Sequence, residues 1–270
     1  MPINMIQTDT VSPDAIKTQT IETNGVKTKA LQTPPARGGA YFANFVDESP
    51  GANEFRRLYS KLKNLYGAAQ MKNLLVTSSM MSEGKSTASA LLACTIARYR
   101  NTKTILVDCD LRRPRVHQLF GITKEEGVAD VLNGTRKLDT CFKRTSIENL
   151  RLLTAGSVVD NPTELFNSPR LRELFSEIKF YFDTVIVDSP PIIPVTDTLI
   201  LSPEMDGALM VVKAGETHKE VVKRAVDMMR NAGFNILGAV VNNQKSVLPY
   251  YYDQSYYGYK YYVRDGKKHK

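Results

Sequence analysis

No apolar run in the 270-residue sequence approaches the ~18 residues that a bilayer span requires, so no membrane crossing is expected. No basic segment followed by an apolar core opens the chain, so no signal peptide is expected either. Cysteine is scarce and odd in number. Cys94, Cys109 and Cys141 are unevenly spaced, which argues against a disulfide frame and against a zinc site. They read as the reduced thiols of a cytoplasmic protein. The net charge of +8 is scattered, and only Lys267-Lys268-His269-Lys270 forms a short basic end, so no nucleic-acid partner is expected. The 42% hydrophobic content suffices for one large domain with tails, or for two small ones.

Folding signals are also missing from residues 1–48, which are rich in Thr, Gln, Asn and Pro. Ile6, Val11, Ile16, Ile21, Val26 and Leu31 recur every five residues, a period that suits neither helix nor strand. Such short units give too little core for a solenoid. The segment reads as a flexible arm, and its recurrence as low complexity or a weak docking strip.

What is present begins at Ser49-Pro50, a helix start with Ser as N-cap and Pro in the first turn. Phe55, Leu58, Leu62 and Leu65 share one face of that helix, Arg56, Arg57, Lys61 and Lys63 the other, and Gly67 is placed to end it. From Met71 onward, short apolar runs alternate with helical segments. The runs are Leu74–Val76, Thr104–Val107, Leu150–Leu153, Thr184–Val187, Ala208–Val212 and Ile236–Val241. All-apolar runs of this length suit a parallel sheet buried on both faces. Among the helices, Lys85–Arg98 follows the first run, and Ser168-Pro169 opens one that carries Leu171, Leu174, Phe175 and Ile178. Thr217-His218-Lys219-Glu220 reads as a capping box before Val221–Arg230, and Gly233 closes that helix. The alternation predicts a doubly wound, mostly parallel α/β domain over about residues 50–245, with ligands at the carboxyl ends of its strands.

Ser79-Met80-Met81-Ser82-Glu83-Gly84-Lys85-Ser86-Thr87 sits between a strand and a helix, the context of a phosphate-binding loop. Gly84 admits close approach of the backbone to an anion, and the N–H groups that open the next helix point at it. Lys85 would reach outer phosphates and Ser86 would offer a hydroxyl to Mg²⁺. The fit to G-x-x-x-x-G-K-[ST] is incomplete, because Ser79 stands where the first Gly belongs. Asp108 and Asp110 follow one buried run and Asp188 follows another. If those strands flank the phosphate-loop strand, all three carboxylates converge above Lys85, which is what phosphoryl transfer with Mg²⁺ needs. Asp188 would then act on the metal, Asp108 would take a proton or hold the metal, and Asp110 would assist.

In combination these stretches resemble the bacterial protein-tyrosine kinases of capsule and exopolysaccharide synthesis, a family of deviant Walker P-loop proteins. Asp108-Cys109-Asp110-Leu111-Arg112-Arg113-Pro114 resembles the family's second, primed Walker motif. Asp188-Ser189-Pro190-Pro191, with Val195-Thr196-Asp197 behind it, resembles its Walker B region. Gly127–Gly134 and Asn161–Leu165 resemble further family stretches, and the likeness covers roughly residues 50–262. It implies that Ser82, Glu83, Gly84, Lys85, Ser86 and Thr87 hold ATP phosphates, and that Ser86, Asp110 and Asp188 hold Mg²⁺. It also implies that Lys85, Asp108, Asp110 and Asp188 are catalytic, and that Asn242 reads the adenine. The domains are then an arm at 1–48, a kinase domain at 49–249 and a tyrosine tail at 250–270.

That tail carries eight of the thirteen tyrosines, Tyr250, Tyr251, Tyr252, Tyr256, Tyr257, Tyr259, Tyr261 and Tyr262, without a period that would bury them. By resemblance they are phosphoacceptors between neighbouring subunits. A separate transmembrane adaptor of the chain-length (co-polymerase) type would recruit the chain to the inner face of the membrane, self-association into a homo-oligomer is implied, and a tyrosine phosphatase would reverse the modification. The sequence departs from the family in three ways. The phosphate loop is poor in glycine, with Met80, Met81 and Ser82 where a Pro-Gly pair often stands. The assembly helix keeps Glu54 and Arg57 but has Ser60 in its last place, beside Lys61. No membrane adaptor is fused to it. Two other readings share the fold. A Min or Par type ATPase needs a signature lysine where Met80 stands. A non-catalytic nucleotide-sensing module of a polysaccharide export complex would tolerate the glycine-poor loop.

Overall fold

The computed structural model describes residues 5–7, 42, 50–66 and 72–243, with the backbone alone at 5–7, 50, 65 and 66. The tyrosine tail, Gly67 and most of the five-residue recurrence lie outside the described residues. Eight strands form one sheet: β1 (Met5–Gln7), β2 (Asn73–Ser78), β3 (Thr104–Asp108), β4 (Lys143–Arg144), β5 (Leu150–Leu153), β6 (Thr184–Asp188), β7 (Gly207–Lys213) and β8 (Ile236–Asn242). Their spatial order is β1-β8-β7-β2-β6-β3-β5-β4, and every neighbouring pair is parallel except β4 with β5.

Nine α-helices accompany the strands in the described residues: α1 (Pro50–Tyr66), α2 (Lys85–Arg100), α3 (Val116–Phe120), α4 (Val128–Leu132), α5 (Leu138–Cys141), α6 (Pro162–Phe166), α7 (Arg170–Tyr181), α8 (Asp197–Ile200) and α9 (Lys219–Asn231). The sheet is buried on both faces because adjacent apolar residues of each strand point opposite ways. Leu75, Ile105, Val107, Val185 and Val187 pack with α4, α7 and α9 on one side. Leu74, Val76, Leu106, Ile186 and Leu209 pack with α1 and α2 on the other. Phe55, Leu58 and Leu62 are the buried stripe of α1, as their spacing predicts, and α2 is buried from Lys85 to Ala97 because α1 covers the side that the sheet does not. No helix among the described residues is long and apolar enough to cross a membrane.

Three details differ from the sequence-based expectations. Met5–Gln7, inside the expected arm, adds a parallel edge strand against Ala239–Val241. Strand β3 does not flank β2, because β6 lies between them. The segment Thr217–Glu220 is not a capping box: α9 starts at Lys219 after His218, which makes no side-chain cap bond, and the Thr217 hydroxyl donates to Glu83 instead.

One glycine is fixed by close approach. A Cβ at Gly127 would collide with the backbone of Thr154 and Gly156, where the Val128 N–H donates to the Thr154 oxygen at 2.8 Å. Backbone cannot yield as a side-chain tip can, so Gly127→Ala is expected to destabilise by about 3 kcal/mol, the upper end for overpacking. Urea unfolding of the two proteins checks this. A midpoint unchanged by the substitution would refute it.

Candidate active site

The site lies at the carboxyl ends of β2, β6 and β3. Asp188 is the last residue of β6 and the Cα partner of both Val76 on β2 and Asp108 on β3. Since β2 runs two residues past Val76, the phosphate loop rises above the two carboxylates. The chain after β6 is tied beneath that loop. Thr77 Oγ1 donates to the Pro190 oxygen at 2.9 Å, Ser189 N to Val76 O at 3.1 Å, and Ile192 N to Ser78 O at 2.9 Å.

The sequence places Lys85 among the three aspartates, and the structure brings them together. Lys85 Nζ donates to Asp110 Oδ2 at 2.6 Å, and lies 3.4 Å from Ser86 Oγ. The other Asp110 oxygen accepts the Arg113 N–H at 3.0 Å. Asp108 accepts the Asp110 and Val116 N–H groups, each at 3.2 Å. Asp188 Oδ1 accepts the Ser89 hydroxyl at 3.1 Å. Asp188 Oδ2 is buried and has no hydrogen-bond partner. Ser89 was not read from the sequence, although it lies one helical turn beyond Lys85, to whose oxygen it also donates at 2.8 Å.

These groups perturb one another. Burial raises the Asp108 carboxyl well above its usual range, and the charges of Asp188 and Asp110 raise it further, against Lys85 and the Val116 N–H. Burial also raises Asp188, opposed by Lys85 and aided by Asp110. Burial works against the Lys85 ammonium, but the three aspartates outweigh it and its pKa is raised. Cys109 lies between the carboxylates. Burial and the charges of Asp108, Asp188 and Asp110 push its thiol well up, so it is no nucleophile.

The phosphate loop takes the shape its function needs. Gly84 has φ +95°, and α2 begins at Lys85. Ser82 is held at φ +64°, the left-handed region in which a glycine would be at ease. Asn242, at the end of β8, packs on Gly84 and donates its side-chain N–H to Glu83 O at 3.0 Å. Met80 and Met81 are 41% and 47% exposed. These features fit a polyphosphate with Mg²⁺. A positive-φ cradle opens onto a helix N-terminus, and a buried carboxylate oxygen lies unpartnered beside Ser86 and Lys85. No group of three or more His, Cys, Asp or Glu side chains able to hold a metal occurs among the described residues. Mg²⁺ asks for less, since it is bound through one or two carboxylates together with phosphate oxygens.

A second constellation links three stretches that the sequence singled out without assigning roles. Arg112 Nε donates to Asp197 Oδ2 at 2.6 Å and its Nη2 to Asp197 Oδ1 at 3.1 Å. Thr163 Oγ1 accepts from Arg112 at 2.8 Å and donates to Asp197 at 2.6 Å. The segment after β3 that carries Arg112 is thus fixed to α6 and α8. In α1, Arg57 pairs with Glu54 at 2.7 Å.

A strand–loop–helix phosphate cradle above two strand-end carboxylates, in a parallel sheet of this order, defines a P-loop NTPase. Residues 70–262 match a family model described as ParA, NUBPL iron-transfer P-loop NTPase. The iron-transfer part of that description finds no exposed thiol here, because all three cysteines are buried. Two curated relatives narrow the class. A putative tyrosine-protein kinase CapB of Staphylococcus aureus is 32% identical over 80% of this chain and 93% of its own length. Tyrosine-protein kinase YwqD of Bacillus subtilis is 33% identical over 79% of this chain and 89% of its own. The solved kinase domain of the Escherichia coli tyrosine kinase ETK superposes with a TM-score of 0.75 at 25% identity, covering 89% of this chain and 90% of that one. The chain belongs to the bacterial tyrosine-protein kinase family within the P-loop NTPases.

Proposed function

We propose that this protein is an ATP-dependent tyrosine kinase that transfers the γ-phosphate of ATP to tyrosines of the 250–262 segment on neighbouring copies. The observation that supports this best is the convergence of Lys85, Asp108, Asp110 and Asp188 under a phosphate loop, in a chain whose last twenty-one residues hold eight phenols.

In that reading Lys85 leaves Asp110 for the outer phosphates, with Ser86, Thr87 and the N–H groups opening α2 around them. Asp188 and Ser86 would hold Mg²⁺, with Asp110 joining once Lys85 has turned, and the ion would supply neutralisation of the developing phosphate charge. The acceptor phenol oxygen bonds to the γ-phosphorus, the bond from that phosphorus to the bridging oxygen breaks, and ADP carries the electron pair away. The phenol proton passes to Asp108. Its raised pKa suits it as base, and a carboxylate that accepts two N–H groups keeps further lone pairs for the proton. The Arg112–Asp197–Thr163 clamp keeps the segment carrying Asp108 and Asp110 in place. A separate membrane adaptor would bring the kinase to the inner face of the membrane, in the service of polysaccharide synthesis and export, and a phosphatase would reset the tail.

Purified protein incubated with Mg-ATP is expected to gain phosphotyrosine on residues 250–262, read by mass spectrometry. Tyr259→Phe alone is expected to lose little label, because seven other phenols of the tail remain. If no phosphotyrosine forms, even with an adaptor's cytoplasmic segment added, the proposal fails. ATP hydrolysis without phosphotyrosine would favour the Min or Par type switch.

A further inference from the structure

Apart from Gly84, the phosphate loop lacks the glycines that usually let such a loop close around an anion, yet it is closed around that space. Ser82 stands at φ +64°, a conformation that costs a non-glycine residue about 1 kcal/mol or more. Something must hold it there, and the bonds identify what does. The Glu83 carboxylate, 3% exposed, turns back on its own loop, and Oε2 accepts the Met80 N–H at 2.7 Å. Its other oxygen, Oε1, accepts the hydroxyl of Thr217, which lies in the connection between β7 and α9, 134 residues away in sequence. Asn242 holds the Glu83 carbonyl from a third side at 3.0 Å, and Ser78 Oγ closes the base of the turn by donating to Met80 O at 2.7 Å.

A carboxylate inside a phosphate loop is a hazard, since it would repel the anion that the loop exists to bind. Glu83 avoids this because both of its oxygens are engaged by donors of the protein. We propose that Thr217 and Glu83 form a latch that presets the phosphate loop: Glu83 splints the strained turn in place of the missing glycines, and Thr217 is the positioning residue that keeps the carboxylate turned from the nucleotide. The β7–α9 connection thereby belongs to the nucleotide site, although its sequence signal is that of a helix start. Thr217 touches neither phosphate nor acceptor in this scheme and acts through Glu83 alone.

The inference rests on the reading that the loop binds a nucleotide, and its test separates the two. Affinity for Mg-ADP is measured by calorimetry on the full chain for the parent, Thr217→Val, Thr217→Ser, Glu83→Ala and Glu83→Ala/Thr217→Val. Thr217→Val is expected to weaken binding by about tenfold, the scale of a hydrogen bond to a charged group. Thr217→Ser restores it to within about twofold, because the hydroxyl is kept. In the Glu83→Ala background, Thr217→Val is expected to add nothing, since its partner is gone. Amide exchange at Met80 in the nucleotide-free protein gives a reading independent of binding, and it is expected to quicken in Thr217→Val. A parent that binds Mg-ADP together with a Thr217→Val protein that binds equally overturns the latch alone, as do effects of the two single changes that multiply in the double variant, or unchanged Met80 exchange. A parent that binds no nucleotide overturns the nucleotide reading and the latch with it.

Discussion

Lys85→Met is expected to abolish tyrosine phosphorylation and also to weaken the nucleotide-free fold. The first effect follows from position. Among the described residues Lys85 is the one cation hydrogen-bonded within the cluster of three aspartates, and losing a preorganised charge that stabilises the transferring group costs about 10²–10³ in rate. The second follows from burial. Lys85 and Asp110 form an ion pair at 2.6 Å whose side chains are 11% and 4% exposed. Removing one partner of a buried pair leaves an uncompensated charge, at about 3–5 kcal/mol. Asp108 and Asp188, whose carboxyls are already raised, lessen that by taking up protons, so the low end is expected, near 3 kcal/mol, which corresponds to roughly 6–12 °C in melting temperature for a domain of this size. Phosphotyrosine blotting and calorimetric melting read the two effects. A Lys85→Met protein that melts with the parent would mean that the aspartates do not depend on this lysine in solution.

Asp188→Asn should abolish labelling as well, but with the opposite effect on the fold. The Asp188 carboxyl is raised, by burial first, and its neighbour Asp108 is raised further. A carboxyl whose folded pKa exceeds its unfolded value of about 4 holds more protons in the folded state, so it detracts from stability as pH rises from about 4 through the folded pKa. An amide of the same shape removes that loss, keeps the Ser89 contact through its oxygen, and relieves repulsion between neighbouring strand ends. The variant should therefore melt above the parent at neutral pH, with the gap closing as pH is lowered toward 4. A gap that is constant or grows on acidification would refute the assignment. The sign itself is informative: a site that is more stable without its ionised carboxylate is held ready for a positive ligand, and Asp188 Oδ2, buried without a partner, is where that ligand would act.

Much of this was legible in the sequence, and the reasons are local. Runs such as Val185–Val187 are apolar at every position because both faces of β6 are covered, and the Asp that ends β3 and β6 marks their carboxyl edge. Lys85 and the three aspartates could be gathered because each sits next to a strand end, where register does the rest. Strand order could not be read that way. Nothing in the composition of β3 or β6 says which of them lies beside β2, and the condition that both flank it is met by β6 and not by β3. Thr217 shows the other kind of limit. Thr followed three residues later by Glu220 is a sound helix-start signal, yet the hydroxyl had a stronger call on it across the sheet edge, from the Glu83 carboxylate. Ser89, Thr163 and Asp197 are ordinary helix residues by local rules, and only tertiary contact gives them work. The short edge strand β1 carries too few residues for any pattern to show.

The burial of all three thiols has a practical corollary. Cys94, Cys109 and Cys141 are the whole cysteine complement of the chain, and each is enclosed. Folded protein should therefore be silent toward maleimide dyes, and any labelling that does occur clocks the opening of the core. A single cysteine introduced in the tail, Tyr259→Cys for example, would carry a fluorophore on an otherwise dark background. Mixed with copies that carry an acceptor dye at a cysteine introduced elsewhere, such protein would test by energy transfer whether the tail approaches a neighbouring copy, as proposed.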